Sequence, residues 1–124
     1  MRHFASLGLP LVALLAACAH VPLDISYLDG QPYHKTEPRH YPVRVLAIDG
    51  SYTVDGNPVR VEPGQRQLRI SAAPVAGFSQ PVIQDLAFTV EPCKRYYLAA
   101  RRESPLQQRW ELVVDHVESR SACT

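Results

Sequence analysis

Histidine and serine are the residue types in this chain best suited to acid–base or nucleophilic chemistry, but their spacing does not group them. His20, His34, His40 and His116 include no pair at the HxH or HxxxH spacing of metal sites, although His34 and His40 could meet if the chain between them folds. No serine lies in a Gly-x-Ser-x-Gly turn, and six glycines are too few for a phosphate-binding loop. The sequence therefore predicts no enzyme, no cofactor and no metal site.

Charge composition argues against a further class of function. The 124 residues include 13 Lys and Arg against 12 Asp and Glu, and the two counts become equal once Arg2 is left out. A neutral domain lacks the basic footprint with which proteins hold nucleic acid phosphates. We therefore expect no nucleic-acid partner.

The N-terminus has the features of a secretion signal. Arg2 and His3 precede an apolar run from Leu7 to Leu15, which is too short for a transmembrane helix. The run ends in Leu15-Ala16-Ala17-Cys18, which resembles the lipobox of bacterial lipoproteins at all four positions. The alternatives are an ordinary signal peptide cut after a small residue, or an uncleaved anchor.

The lipoprotein resemblance implies a covalent modification and a location. It implies that residues 1–17 are removed, that the sulfur of Cys18 receives a diacylglyceryl group and that the new amine is acylated. Several acyl chains together give durable membrane anchoring. Ala19 stands where an Asp would favour retention in the inner membrane, so the resemblance implies the outer membrane, facing the periplasm.

Residues 18–41 are predicted to be the lipidated N-terminus and a tether. Pro22, Pro32 and Pro38 interrupt the stretch, and Asp29-Gly30 is typical of a turn. A short strand over Asp24 to Leu28 is left open as an alternative, since it would add an edge to the following domain.

Residues 42–124 are predicted to form one all-β domain. Hydrophobic residues alternate with polar ones at a period of two, and turn dipeptides separate the alternating runs. This pattern predicts a small antiparallel β-sandwich of six to seven strands. The predicted inner residues are Leu68, Ile70, Phe88, Tyr96, Trp110 and Leu112.

Two segments extend this fold prediction to a family. Ile48-Asp49-Gly50 with Val61-Glu62-Pro63-Gly64 and Leu68-Arg69-Ile70 resembles the PEGA-type domains of bacterial envelope proteins. The run from Glu91 to Tyr97, followed by Trp110, is similar to small lipoproteins with a related sandwich. The resemblance implies an immunoglobulin-like sandwich without catalytic residues. The chain departs from the pattern at Cys93, where Gly is more usual, and lacks the common Thr-Pro pair.

Cys93 and Cys123 remain once Cys18 is assigned to the lipid. An even number of cysteines behind a secretion signal favours a disulfide. Such a bridge would tie the C-terminus to the turn before the Tyr96 strand. A reactive or metal-binding thiol pair is the alternative.

A candidate interaction face follows from the last two predicted strands. Arg95, Tyr97, Arg101 and Arg109 fall on their outward side, with Lys94 and Arg102 nearby. This face would bind an anionic envelope partner, either a protein or a glycan. The alternative is a solvated face whose arginines pair across strands with Glu111 and Asp115.

Together these features predict a non-enzymatic, membrane-anchored structural or protein-interaction module of the cell envelope. The alternative is a lipoprotein that captures a glycan or another small envelope ligand in the loops around Pro74 to Pro81, near Tyr52 or Trp110. Exposure of Trp110 separates the two interpretations, because a buried indole cannot serve as a sugar platform.

Overall fold

The computed structural model describes residues 24–54, 56–75 and 80–123, together with Gly8 and Gly77. The predicted signal peptide and Cys18 therefore lie outside the described residues, apart from Gly8. The described chain is all-β, as predicted, and its one helix is a 3-10 turn at Ser121–Cys123. In this part of the chain no helix is long and apolar enough to cross a membrane.

The described residues form nine strands, two more than the upper sequence prediction. The strands are β1 (Ser26–Asp29), β2 (His40–Tyr41), β3 (Val43–Ile48), β4 (Ser51–Tyr52), β5 (Val59–Val61), β6 (Gly64–Ala72), β7 (Val82–Val90), β8 (Lys94–Arg101) and β9 (Glu111–Ser119). The two additional strands are β1 and β2, both within the predicted tether.

The strands form two sheets. A four-stranded sheet has the order β4-β3-β6-β7 and is antiparallel throughout. In the five-stranded sheet, β9 pairs along the length of β8, while β1 and β2 also pair with β8 and β5 pairs with β1. The β1–β8 pair is parallel. The small β-sandwich is as predicted, but this sheet is mixed rather than antiparallel throughout, because β1 from the N-terminal segment lies parallel to β8.

The tether prediction over residues 18–41 is wrong from β1 onward. Ser26 and Leu28 are completely buried, and β1 lies between β8 and β5. Gly30 and Val43 join the two sheets, because Val43 N donates to Gly30 O over 2.8 Å. The packed unit thus begins no later than Ser26, rather than at residue 42. Residues 19–23 lie outside the described part.

Inner residues of both sheets meet in one hydrophobic core. The predicted core residues Leu68, Ile70, Tyr96 and Trp110 are buried, and Phe88 and Leu112 pack partly buried against them. The Phe88 and Tyr96 rings meet edge to face at 5.2 Å, which is a favourable aromatic geometry.

The predicted disulfide is confirmed. Cys93 and Cys123 are bonded, with 5.7 Å between their Cα atoms. Cys93 has a positive φ of 59°, which explains why glycine suits this position better. The backbone of Cys93 also bonds to the N-terminal and C-terminal segments of the domain. Cys93 N donates to Asp24 O, and Arg120 N donates to Cys93 O.

Candidate functional site

The outer face of the five-stranded sheet carries most of the residues predicted to interact with a partner. Along β8, Tyr96, Leu98 and Ala100 point into the core. Arg95 and Tyr97 alternate with them and lie on the opposite side, which we call the outer face. Arg101 lies on the same side, six residues further along the strand.

Arg95 is held by an acid that the sequence placed in the tether. Its Nη2 lies 2.5 Å from Oδ2 of Asp29, whose side chain is 5% exposed. Asn57 Nδ2 and the backbone NH of Gln31 donate to the other carboxylate oxygen. Burial alone would raise the pKa of Asp29, but these hydrogen bonds and the Arg95 charge bring it below its ordinary value. Arg95 therefore has a structural partner and is not simply an exposed cation.

Tyr97 belongs to a ring cluster at the centre of the outer face. Its hydroxyl donates to Glu118 over 3.2 Å, and the Arg95 guanidinium lies over its ring. Tyr33 packs on it at 5.0 Å and stacks on His116 at 3.9 Å. Burial and the bond to Glu118 raise the pKa of the Tyr97 phenol. Residues 31–39 thus lie across the sheet rather than leading away from it.

The remaining predicted arginines are not next to this cluster. Arg101 pairs with Glu103 at 3.5 Å, and Ala99, between it and Tyr97, is completely buried. Arg109 is exposed but precedes β9, so it does not belong to the sheet. Arg102 is only 3% exposed and donates to Ala73 O, so the prediction that it adds to the exposed patch is wrong. The predicted interaction face of Arg95, Tyr97, Arg101 and Arg109 is therefore not one continuous surface.

The arginines of the outer face do not form the ion pairs with Glu111 and Asp115 that the alternative interpretation expected. Arg101 faces Glu111 in the β8–β9 register, yet its ion pair is with Glu103. Asp115 pairs with histidines instead of arginine. Sequence alternation predicted which residues share a face, but not which loop residues fold onto that face.

Asp115 connects the N-terminal segment to β9 through two histidines. It is the extra residue where the β8–β9 register shifts, and its side chain is 3% exposed. His40 Nδ1 lies 2.9 Å from Oδ1, and the backbone NH of His34 donates to Oδ2 over 2.6 Å. The bulge thus aims a carboxylate at a segment far away in sequence. His34 and His40 do approach each other, as the sequence allowed.

The hydrogen bonds of His34 and His40 to Asp115 stabilise the charged form of this carboxylate. Burial would raise the pKa of Asp115, but the hydrogen bonds from His34 and His40 bring it below its ordinary value. In the described chain, no group of three or more His, Cys, Asp or Glu side chains is arranged to hold a metal ion.

A groove opens on the outer face beside Arg95, at the end where the N-terminal segment enters the sheet. Its volume is about 510 Å³, and we call it the basic groove. Its lining residues are Tyr27, Pro58, Arg95, Glu118, Ser119, Arg120 and Ser121. The Arg120 guanidinium lies over the Tyr27 ring at 4.4 Å and also donates to Ile25 O.

Arg95 and Arg120 line this groove together with Glu118, and Arg60 lies beside it. Arg60 pairs in register with Tyr27 on one side, and Arg95 pairs with it on the other, so the three share the outer face. Among the described residues, no carboxylate lies within ion-pair distance of Arg60 or Arg120. The basic groove can therefore accept an anionic group from a partner.

The sequence missed Tyr27, Arg60 and Arg120 because their proximity depends on the pairing of β1 with β8 and β5. The run DISYL, residues 24–28, was the one sequence signal for a strand in this segment.

The aromatic residues named for the glycan-binding alternative differ in exposure. Trp110 is 3% exposed and its Nε1 donates to Val82 O, so it does not fit that alternative. Tyr52 is 76% exposed.

Comparison with protein-family models, curated proteins and solved structures finds no match to this chain. The PEGA-type resemblance therefore stays a prediction.

Proposed function

We propose that this chain is a non-enzymatic lipoprotein of the bacterial envelope, anchored through acylated Cys18, whose β-sandwich acts as an interaction module. The observation that carries the proposal is the complete Leu15-Ala16-Ala17-Cys18 motif, a few residues ahead of a buried strand. The anchor lies in the outer membrane and the sandwich faces the periplasm. The bound partner is an envelope protein or an anionic glycan.

The early start of the sandwich limits its distance from the bilayer. Seven residues lie between Cys18 and Ser26, and the eight residue steps between them span about 27 Å when fully extended. A tether reaching residue 41 would have allowed about 80 Å. The module therefore works close to the membrane that holds it.

The basic groove is the best candidate for the docking site. Arg120 contacts Ile25, so the groove lies at the end of the sandwich from which the chain leads back toward Cys18. Arg60 and Arg120 supply charge without described carboxylate partners, and the Tyr27 ring lines the groove beneath the Arg120 guanidinium. The roles of Asp29 and Asp115 in holding the fold support a binding function rather than catalysis.

The glycan-capture alternative loses its main support. Trp110 is buried in the core, so it offers no platform for a sugar ring. Tyr52 is the exposed aromatic that remains from that prediction.

Metabolic labelling with an alkyne palmitate tests the anchor. We expect label on the wild-type chain and none on Cys18→Ala, because Cys18 carries the acyl groups. Cys93→Ser/Cys123→Ser is the matched control and should keep the label. Labelling that survives Cys18→Ala would overturn the proposed anchor.

Charge reversal tests the docking site in cells. Arg60→Glu changes the outer face beside Tyr27, and Arg44→Glu makes the same change at an exposed site on the four-stranded sheet. We expect Arg60→Glu alone to reduce cross-linking to an anionic envelope partner. Equal effects of the two variants would exclude the basic groove as the docking site.

A further inference from the structure

Among the described strands, β7 has the longest uninterrupted free edge. All nine of its residues pair with β6, from Val82 opposite Ala72 to Val90 opposite Gly64, without a register shift. Within the described chain β6 is its only strand partner. At one end, Val82 O accepts the bond from Trp110 Nε1 and the Gln84 side chain donates to Trp110 O, so the edge lies beyond these contacts from Asp85 to Thr89.

This edge has few of the features that usually prevent strands from pairing with other chains, because its one charged residue is Asp85 and its pairing with β6 has no bulge. Natural edges are short, contain Pro or Lys, or are interrupted by a bulge. The other nine-residue edge, β9, has its bulge at Asp115, and β4 at the far side of the four-stranded sheet has two residues. The sequence of β7, VIQDLAFTV, contains neither Pro nor Lys.

The strand is also complementary to itself. When two antiparallel copies meet on a two-fold axis at Leu86, Ile83 lies opposite Thr89, and Gln84 lies opposite Phe88. Asp85 then faces Ala87, so no like charges meet. An axis moved by one residue to Asp85 would place the two Asp85 carboxylates against each other, which is unfavourable.

Apolar side chains on this edge would gain burial from such a pairing. Leu86 and Phe88 are only partly buried, although they pack against the core. Ile83 is 42% exposed on the outer side of the same strand. Burial of these side chains and the new backbone hydrogen bonds would both stabilise the pair.

We propose that β7 pairs with β7 of a second copy of this chain, making a two-fold symmetric dimer with a continuous eight-stranded sheet. The interface lies on the four-stranded sheet, away from the basic groove, and it does not depend on the lipid anchor. The dimer would present two basic grooves to one membrane-associated partner.

Matched charges at position 87 test the register. Ala87 is exposed, so Ala87→Glu and Ala87→Lys both leave the core unchanged. In the dimer, Glu at position 87 faces Asp85 of the other copy twice, whereas Lys at position 87 faces it favourably. We expect Ala87→Glu to raise the dimer Kd about tenfold, and Ala87→Lys to keep or lower it.

The measurement is sedimentation velocity of the full-length chain in mild detergent across a concentration series, with circular dichroism to confirm folding. Asp85→Lys/Ala87→Glu should restore the dimer, because the facing charges are opposite again. Val114→Glu, at an exposed site on the β9 edge, should leave the Kd unchanged. A monomeric wild type, equal weakening by both position-87 variants, or loss of the dimer in Val114→Glu would overturn the proposal.

Discussion

Arg95 Nη2 donates to Asp29 Oδ2 over 2.5 Å, and this pair joins β8 to the segment in front of the predicted domain. Asp29 is 4% exposed and has three donors around its carboxylate. Arg95, which the sequence predicted to contact a partner, therefore also stabilises the fold through Asp29. Arg60 is the exposed arginine beside it on the outer face, and the half-buried Arg120 lies over the Tyr27 ring.

Asp29→Asn should destabilise the fold by about 2 kcal/mol, because it removes the charge that satisfies Arg95 in a largely buried setting. Urea unfolding measures the change. Asp85→Asn is the control, since its ion pair with Arg69 is exposed and we expect a change within about 0.5 kcal/mol. Equal effects of the two substitutions would contradict the structural role of Asp29.

Acid should weaken the fold through Asp29 and Asp115. The folded state lowers the pKa of both carboxyls, so their contribution is present above the unfolded value near 3.8 and is lost as pH falls through the lower folded values. Unfolding free energies measured between about pH 6 and pH 2 check this. Asp115→Asn should be less stable than wild type at neutral pH and should approach it in acid. A constant difference across this range would contradict the prediction.

The disulfide should stabilise the chain by about 3 kcal/mol, which Cys93→Ala/Cys123→Ser should lose in urea unfolding. Cys93→Gly/Cys123→Ser loses the same bridge but places a glycine at the positive φ of residue 93. We expect this variant to be about 1 kcal/mol more stable than the alanine variant. Equal stability of the two would contradict the role assigned to the backbone at Cys93.

Gly30→Ala should destabilise the junction of the two sheets by more than about 2 kcal/mol. An added Cβ would overlap Val43 O, the backbone that the Gly30 segment contacts. Gly56→Ala is the control, because an added Cβ there meets no atom within 4 Å. Thermal unfolding of the two variants checks the difference, and similar melting temperatures would contradict it.

The sequence predicted the elements that have a strong local signal. Alternation over five to seven residues marked β6, β7, β8 and β9, since each places most of its large apolar side chains on one face. Counting cysteines led to the disulfide. These features depend on residues that are close in sequence or few in number.

The sequence left a strand over Asp24 to Leu28 open as an added edge, but it did not predict that β1 lies between β8 and β5, or the contacts that follow from this position. β1 has four residues and is buried on both faces, so it shows no alternation, and Asp29-Gly30 indicated a turn. Its pairing with β8 and β5 is a long-range event that no local pattern encodes. The basic groove depends on that pairing and was missed with it.

The mature N-terminus of the protein purified from bacterial membranes tests the proposed lipoprotein most directly. Mass spectrometry of the N-terminal peptide should find a chain that begins at Cys18 and carries a diacylglyceryl thioether and an N-acyl group. An unmodified Cys18, or a chain that begins at another residue, would contradict the account.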